Sequence, residues 1–151
     1  MSGILEGRVA IVTGAGGGLG AAHARVFASE GCAVVVNDIN QEAAQAVVEE
    51  IEAAGGRAVV NGSDITNYND SLNAVKQAID SFGGLDIVLN NAGINRDRMF
   101  ASMTEDEWDA IMAVHLKGHF CITSHAVHYL SLIHISEPTR PFTLSRMPSS
   151  A

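Results

Sequence analysis

The 151-residue chain has little cysteine, little proline and little positive charge, and each shortage excludes something. Two cysteines, Cys32 and Cys121, cannot build a disulfide framework. Nine Lys and Arg stand against 17 Asp and Glu, for a net charge of −8. A chain of that sign without a basic cluster lacks the phosphate-neutralising surface behind most nucleic-acid affinity, so no nucleic-acid partner is expected. No apolar run reaches the roughly 18–20 residues of a membrane span. No basic stretch followed by an apolar one opens the chain as a secretory leader would. No membrane partner is expected, and a reduced, cytoplasmic setting is. Apolar residues, by contrast, make up 47% of the chain. That excludes a disordered protein, and the length suits one domain.

The composition is uneven. All 15 glycines lie at or before Gly118, and the three prolines are Pro138, Pro141 and Pro148. Residues 130–151 carry five serines, no glycine and no apolar period. Such a stretch reads as a linker or disordered terminus. One codon spelling of Leu130–Arg140 also resembles the transposase adapter joined to fragments in short-read sequencing libraries. Ser145–Ala151 resembles the adapter's outer end. On that resemblance, residues 130–151 are expected to be a non-native or disordered tail, with helix continuing no further than about Pro138. Evolved sequence is expected to stop near Tyr129.

Residues 1–129 alternate short apolar runs with amphipathic stretches. The runs at Arg8–Thr13, Cys32–Asn37, Arg57–Asn61 and Asp86–Asn90 are β-rich and lack a polar face, as buried strands do. Between them the spacing predicts three helices. The first spans Gly18–Glu30, with Ala21, Ala22, Val26 and Phe27 on one side, and ends at Gly31. The second is capped by Asn40, presents Ala44, Val47, Val48 and Ile51, and ends at Gly55-Gly56. The third spans Tyr68–Phe82 with Leu72, Val75, Ala78 and Ile79, and ends at Gly83-Gly84. A capping box at Thr104–Glu107 opens a fourth helix to about Tyr129. Strict alternation predicts an α/β doubly wound parallel sheet of the Rossmann-like kind, cut after about four strands.

The strongest chemical signal is Thr13-Gly14-Ala15-Gly16-Gly17-Gly18-Leu19-Gly20, between the first strand and the first helix. There, backbone N–H groups and the positive helix end can meet a pyrophosphate, and missing side chains let it approach. Gly14, Gly16, Gly17, Gly18, Leu19 and Gly20 are therefore candidate cofactor-binding residues. The plain alternative is a tight turn. Asp38 ends the second strand, where a carboxylate can accept hydrogen bonds from ribose hydroxyls and repel a 2′-phosphate. The alternatives for it are a helix cap or a solvated loop acid. With no Lys or Arg in the loop or beside Asp38, the expected cofactor is NAD.

These residues resemble the short-chain dehydrogenase/reductase family. Its glycine motif matches Thr13–Gly20, its Asn-Asn-Ala-Gly matches Asn90–Gly93, and its Asp-hydrophobic pair after the third strand matches Asp64-Ile65. The resemblance covers residues 1–129 and implies a sheet order beginning 3-2-1-4. It also implies adenine contacts at Asp64 and Ile65, and cofactor contacts at Asn91, Ala92 and Gly93. Residues 1–129 are thus expected to be an NAD-binding segment, the first half of a longer parent that acts on an alcohol or ketone, with a 3-hydroxyacyl thioester among the candidate substrates. The parent is expected to take a small-molecule substrate and to form a homo-oligomer.

The chain departs from the family in two places. The family's Tyr-x-x-x-Lys, whose Tyr is the general acid/base, has no counterpart. The lysines are Lys76 and Lys117, preceded at the fourth position by Leu72 and Ala113. The tyrosines are Tyr68 and Tyr129. No catalytic residue is therefore assigned, and a non-catalytic nucleotide-binding module or inactive fragment is the alternative function. His115 also stands where the family commonly has an Asn that helps hold a water in the proton relay. Some hydroxyacyl-thioester dehydrogenases of the family resemble this chain there. His115 and His119, at i and i+4 with Cys121, His125 and His128 beyond, could in principle face one metal. No third ligand has fixed spacing, so no metal is expected.

Overall fold

The structure, a computed structural model, describes residues 3–136. Four strands, β1 (Val9–Thr13), β2 (Ala33–Asn37), β3 (Arg57–Asn61) and β4 (Ile87–Leu89), form one parallel sheet in the order β3-β2-β1-β4. Helices α1 (Gly18–Ser29), α2 (Gln41–Ala53) and α3 (Tyr68–Phe82) connect them. After β4 come a 3-10 turn at Phe100–Ser102, α4 (Glu105–Met112), a π-helical segment (Ala113–Gly118) and α5 (His119–Ser136).

Every residue of β1 and β2 is buried, because both faces of the sheet are covered. Ala10, Val12, Val34 and Val36 point to one side, where they join Ala21, Ala24 and Ala28 of α1 and Ala44, Val47, Val48 and Ile51 of α2. Val9, Ile11, Ala33 and Val35 point to the other, against Ala74, Val75 and Ala78 of α3 and Ile122 and Ala126 of α5. This is the doubly wound arrangement that the alternation predicts.

The element boundaries follow local signals. Asn40, Asn67 and Thr104 each accept an N–H of the helix they open, and the box with Glu107 is complete at Thr104. The backbone N–H of Thr104 holds the Glu107 carboxyl below the usual carboxylate range. The box's contribution is therefore fully present above the usual carboxylate range and is lost only as pH falls below it, through the lowered value of Glu107.

Two expectations need correction. In α1, Ala22 and Val26 face solvent, and the buried face is Gly20, Ala21, Ala24 and Ala28. Small residues are what a helix needs when a short loop holds it tightly against the sheet. The fourth helix is not regular, because the π-helical turn separates α4 from α5. Beyond Tyr129, α5 runs to Ser136, within the limit expected at about Pro138. Most of the expected tail, residues 137–151, lies outside the described residues.

Cys32 is 1% exposed and Cys121 fully buried. Burial pushes the Cys32 thiol up to about 11, with the Asp86 carboxylate adding to the rise, and burial raises Cys121 as well. From its ordinary value of 9.0, Cys32 then holds roughly a hundredfold less thiolate at pH 8. We expect neither thiol to react with a thiol-specific reagent in the folded chain, and both to react in urea. Fast labelling of Cys121 without denaturant would show that α5 lifts off the sheet.

Candidate functional site

The loop after β1 and the loop after β4 meet at the C-terminal end of the sheet, at the point where strand order reverses from β1 to β4. Open α/β sheets bind ligands at that place. Thr13 joins the two loops. Its buried hydroxyl accepts the N–H groups of Asn91 and Ala92, both at 3.1 Å. The Asn91 amide returns from the other side, donating to the carbonyls of Thr13 (3.0 Å) and Gly14 (3.1 Å). Gly14 sits at φ +62, and a Cβ there would fall 2.7 Å from Ala92 Cα. Only glycine permits both the backbone angle and the contact.

The glycines of the loop divide into two kinds. Gly14, Gly16 and Gly20 are packed against neighbouring atoms. Gly17 and Gly18 have nothing within 4 Å of a built Cβ, so they present bare backbone to open space. The N-terminus of α1 has no side-chain cap and no acidic residue in its first turn. That contrasts with the side-chain caps of α2, α3 and α4. Leu19, 74% exposed, lies in the same first turn. Uncapped N–H groups of a helix start carry partial positive charge and lack protein acceptors, so an anion fits here.

Asp38 faces this loop. Its Oδ2 accepts the N–H of Gly16 and its Oδ1 the N–H of Asn40, both at 2.9 Å. The carboxylate therefore orders the loop, and each oxygen keeps capacity for a second donor. Behind it, Asn37 donates to Asn61 Oδ1 (2.7 Å) and to the Ser63 carbonyl (3.0 Å), holding the ends of β2 and β3 together. The chain then reaches Asp64 and Ile65. Asp64 is exposed, and its Oδ1 accepts the N–H and hydroxyl of Thr66 (2.8 and 2.7 Å). Ile65 is 6% exposed, with its side chain tucked against Gly118. What it offers a ligand is its backbone.

Thus Gly14–Gly20, Asp38 and Asn91–Gly93 come together at one end of the sheet, with Asp64 and Ile65 following β3 at that same end. Two side chains that sequence reasoning did not assign join them. His115 reaches Ile94, and His119 reaches the Ala92 carbonyl. Their spacing was the available signal, and it points to a shared partner that is backbone. Among the described residues, no group of three His, Cys, Asp or Glu could hold a metal ion. A separate cavity of about 650 Å3 lies at the opposite end of the sheet, lined by Arg25, Ser29, Glu50 and Arg57 among others, and contains none of these residues.

A family model for short chain dehydrogenases matches residues 8–135. The chain belongs to this family. Its members are oxidoreductases that bind a nicotinamide cofactor, NAD or NADP. The chain is 48% identical over 130 residues to the hydroxyacyl-CoA dehydrogenase ChsB1 of Mycobacterium tuberculosis, covering 83% of this chain and 41% of that one. It is 47% identical over 130 residues to the peroxisomal multifunctional enzyme type 2 of Mus musculus, covering 80% of this chain and 17% of that one. A crystal structure of a short chain dehydrogenase from Mycobacterium avium superposes with a TM-score of 0.85 at 50% identity, over 89% of this chain and 50% of that one. The chain thus spans half or less of the length of each. Among the described residues, no helix is long and apolar enough to cross a membrane.

Proposed function

We propose that this short-chain dehydrogenase chain holds NAD for an oxidoreductase that acts on an alcohol or ketone, with a 3-hydroxyacyl thioester as the substrate class. The carrying observation is the pairing of the uncapped α1 N-terminus with the Asp38 carboxylate across the bare backbone of Gly17 and Gly18. The loop accepts a pyrophosphate, while Asp38 accepts ribose hydroxyls and repels a 2′-phosphate. No Lys or Arg stands at 14–20 or 37–41 to reward that phosphate. Gly14, Gly16, Gly17, Gly18, Leu19, Gly20, Asp38, Asp64, Ile65, Asn91, Ala92 and Gly93 are the binding residues of this reading. Bound there, the nicotinamide would supply the hydride acceptor. The protein's part is to fix its orientation and exclude the phosphorylated competitor. The names of the hydroxyacyl-CoA and multifunctional relatives support the thioester class.

The second reading, a nucleotide-binding module without catalysis, is favoured for the 151 residues themselves by the missing Tyr-x-x-x-Lys. A positioned general acid/base contributes ~10²–10⁴-fold, and the Tyr-x-x-x-Lys that supplies it in the family is absent from these residues. The two readings join in one proposal: a cofactor segment over 1–129, a translated-adapter tail over 130–151, and catalysis residing in the longer parent. Homo-oligomerisation of that parent belongs to the proposal, supported by the exposed Trp108, Leu116, Phe120 and Val127. A reducing, cytoplasmic setting also belongs to it, supported by two buried free thiols.

The test is direct. Purified chain titrated with NADH and NADPH should bind NADH more tightly. With a 3-hydroxyacyl thioester and NAD it should show no turnover. Preference for NADPH would overturn the cofactor assignment. NAD-dependent oxidation that disappears in Gly18→Asp would overturn the inactivity.

A further inference from the structure

We propose that Gln41 reads the base of the cofactor: its side-chain amide, laid across Gly62, pairs with the N6/N7 edge of adenine and sets a preference for adenine over hypoxanthine. The inference rests on the cofactor reading above and adds a residue that reading does not use.

Three observations carry it. First, Gln41 bridges the loops that follow β2 and β3. A Cβ at Gly62 would strike Gln41 Nε2 and Cδ and fall 2.6 Å from its Cγ, so the glutamine side chain lies on that bare backbone. Gly62 has no positive φ. Its backbone would suit any residue, and the space that Gln41 occupies is what excludes a side chain. Second, both ends of the bridge are held beside residues of the cofactor reading. Asp38 Oδ1 accepts the N–H of Asn40 at 2.9 Å, and Asn40 caps α2, whose first residue is Gln41. On the other side Asn61 Oδ1 accepts the N–H of Ser63 at 3.1 Å, which fixes the chain around Gly62 just before Asp64. Third, the Gln41 amide is uncommitted. The residue is exposed, and its amide has no hydrogen-bond partner among the described residues. The nearby amides of Asn37, Asn61 and Gln77 are all bonded within the fold.

The chemistry assigns the edge. With its ribose at Asp38, the base lies toward Asp64 and Ile65. In that loop the N–H of Asp64 is taken by Asp70 Oδ2 (2.7 Å) and that of Thr66 by Asp64 Oδ1 (2.8 Å). Of these three residues, Ile65 keeps its N–H for a ring nitrogen of the base. Adenine has a further acceptor, N7, beside the hydrogens of its N6 amine. A glutamine amide matches that pair, accepting from N6 and donating to N7. Hypoxanthine carries a carbonyl in place of the amine. It offers two acceptors on that edge, so the amide oxygen would face another oxygen.

The test uses the 151-residue chain and two ligands, NADH and its hypoxanthine analogue, which differ only at the base. Gln41→Leu keeps the bulk of the side chain and removes the amide. It should weaken NADH roughly three- to tenfold, the order of one neutral hydrogen bond lost. The hypoxanthine analogue should stay within about twofold of its starting affinity, since it gains little from the amide. Gly62→Ala should act in the same direction by another route, because its methyl displaces the far end of a flexible side chain and no backbone. The double variant should lose no more NADH affinity than Gln41→Leu alone, as two changes to one contact do not add. Circular dichroism and melting of the unliganded variants report folding, and Gln41 is exposed, so both should match the unaltered chain. Unchanged NADH affinity in Gln41→Leu overturns the proposal and leaves the cofactor reading standing. So does an equal loss of both dinucleotides, which would confine Gln41 to supporting the loop. Tighter NADH binding in Gln41→Leu also overturns it, by showing that the side chain obstructs the base. Absence of NADH binding by the unaltered chain overturns the cofactor reading, and this one with it.

Discussion

Gly20→Ala should lower the melting temperature of the chain by roughly 10 °C and abolish cofactor binding, whereas Gly17→Ala should leave the melting temperature unchanged. The two glycines lie three residues apart at the start of one helix, and their surroundings differ completely. A methyl group at Gly20 would strike the Gly14 carbonyl oxygen and fall 2.5 Å from Asn91 Nδ2 and 2.9 Å from Ala15 Cα. Two of these neighbours are backbone atoms, so relief requires moving the loop away from the helix. Overpacking of this kind costs ~3 kcal/mol at the upper end of the usual range, which corresponds to a shift of roughly 10 °C for a chain of this size. The displaced atoms are also those that hold Asn91 and the β4 loop in place. At Gly17 the backbone is extended, at φ −170, and a Cβ meets nothing within 4 Å. Differential scanning fluorimetry of both variants decides the matter. Equal melting temperatures for Gly20→Ala and the unaltered chain would show that α1 is not seated against the loop as described.

Asp38→Ala should weaken NADH by about 10- to 100-fold and erase most of the preference over NADPH. The substitution removes the acceptors for the N–H groups of Gly16 and Asn40, each at 2.9 Å. It also removes the negative charge proposed to face the ribose. Hydrogen bonds to a charged group are worth ~1.5–3 kcal/mol each, and a loss of 1.4–2.8 kcal/mol in binding is a factor of 10 to 100. NADPH escapes that loss, because in the unaltered chain its 2′-phosphate meets the carboxylate unfavourably. Asp38→Asn keeps an acceptor oxygen but no charge, so it should fall between the two. Parallel titrations with both reduced cofactors give the ratio directly. A ratio unmoved in Asp38→Ala would confine Asp38 to ordering the loop.

Much of this molecule was legible in its sequence because the signals are local. β3 and α3 have the predicted ends to the residue, since Gly55-Gly56 and Gly83-Gly84 mark them within a few positions. The strand and helix alternation likewise dictates a parallel sheet covered on both faces, and the glycine loop announces itself by composition. The strand order needed the family resemblance, because alternation alone does not say on which flank of β1 a later strand lies. Other features depend on atoms far apart in the chain. Which face of α1 is buried was misread, because hydrophobicity points to Val26 while the space available admits only Gly20 and alanines. The π-helical turn has no signature in the local residues. It is seen where the helix carries its histidines to a loop about twenty residues earlier. The Thr13 hydroxyl is one polar group among many in the sequence, and only burial between two loops makes it their shared acceptor. Local pattern determined the elements and the kind of ligand they face. Tertiary packing decided which side chains hold the site rigid, because a hydrogen bond between distant segments exists only after the sheet has brought them together.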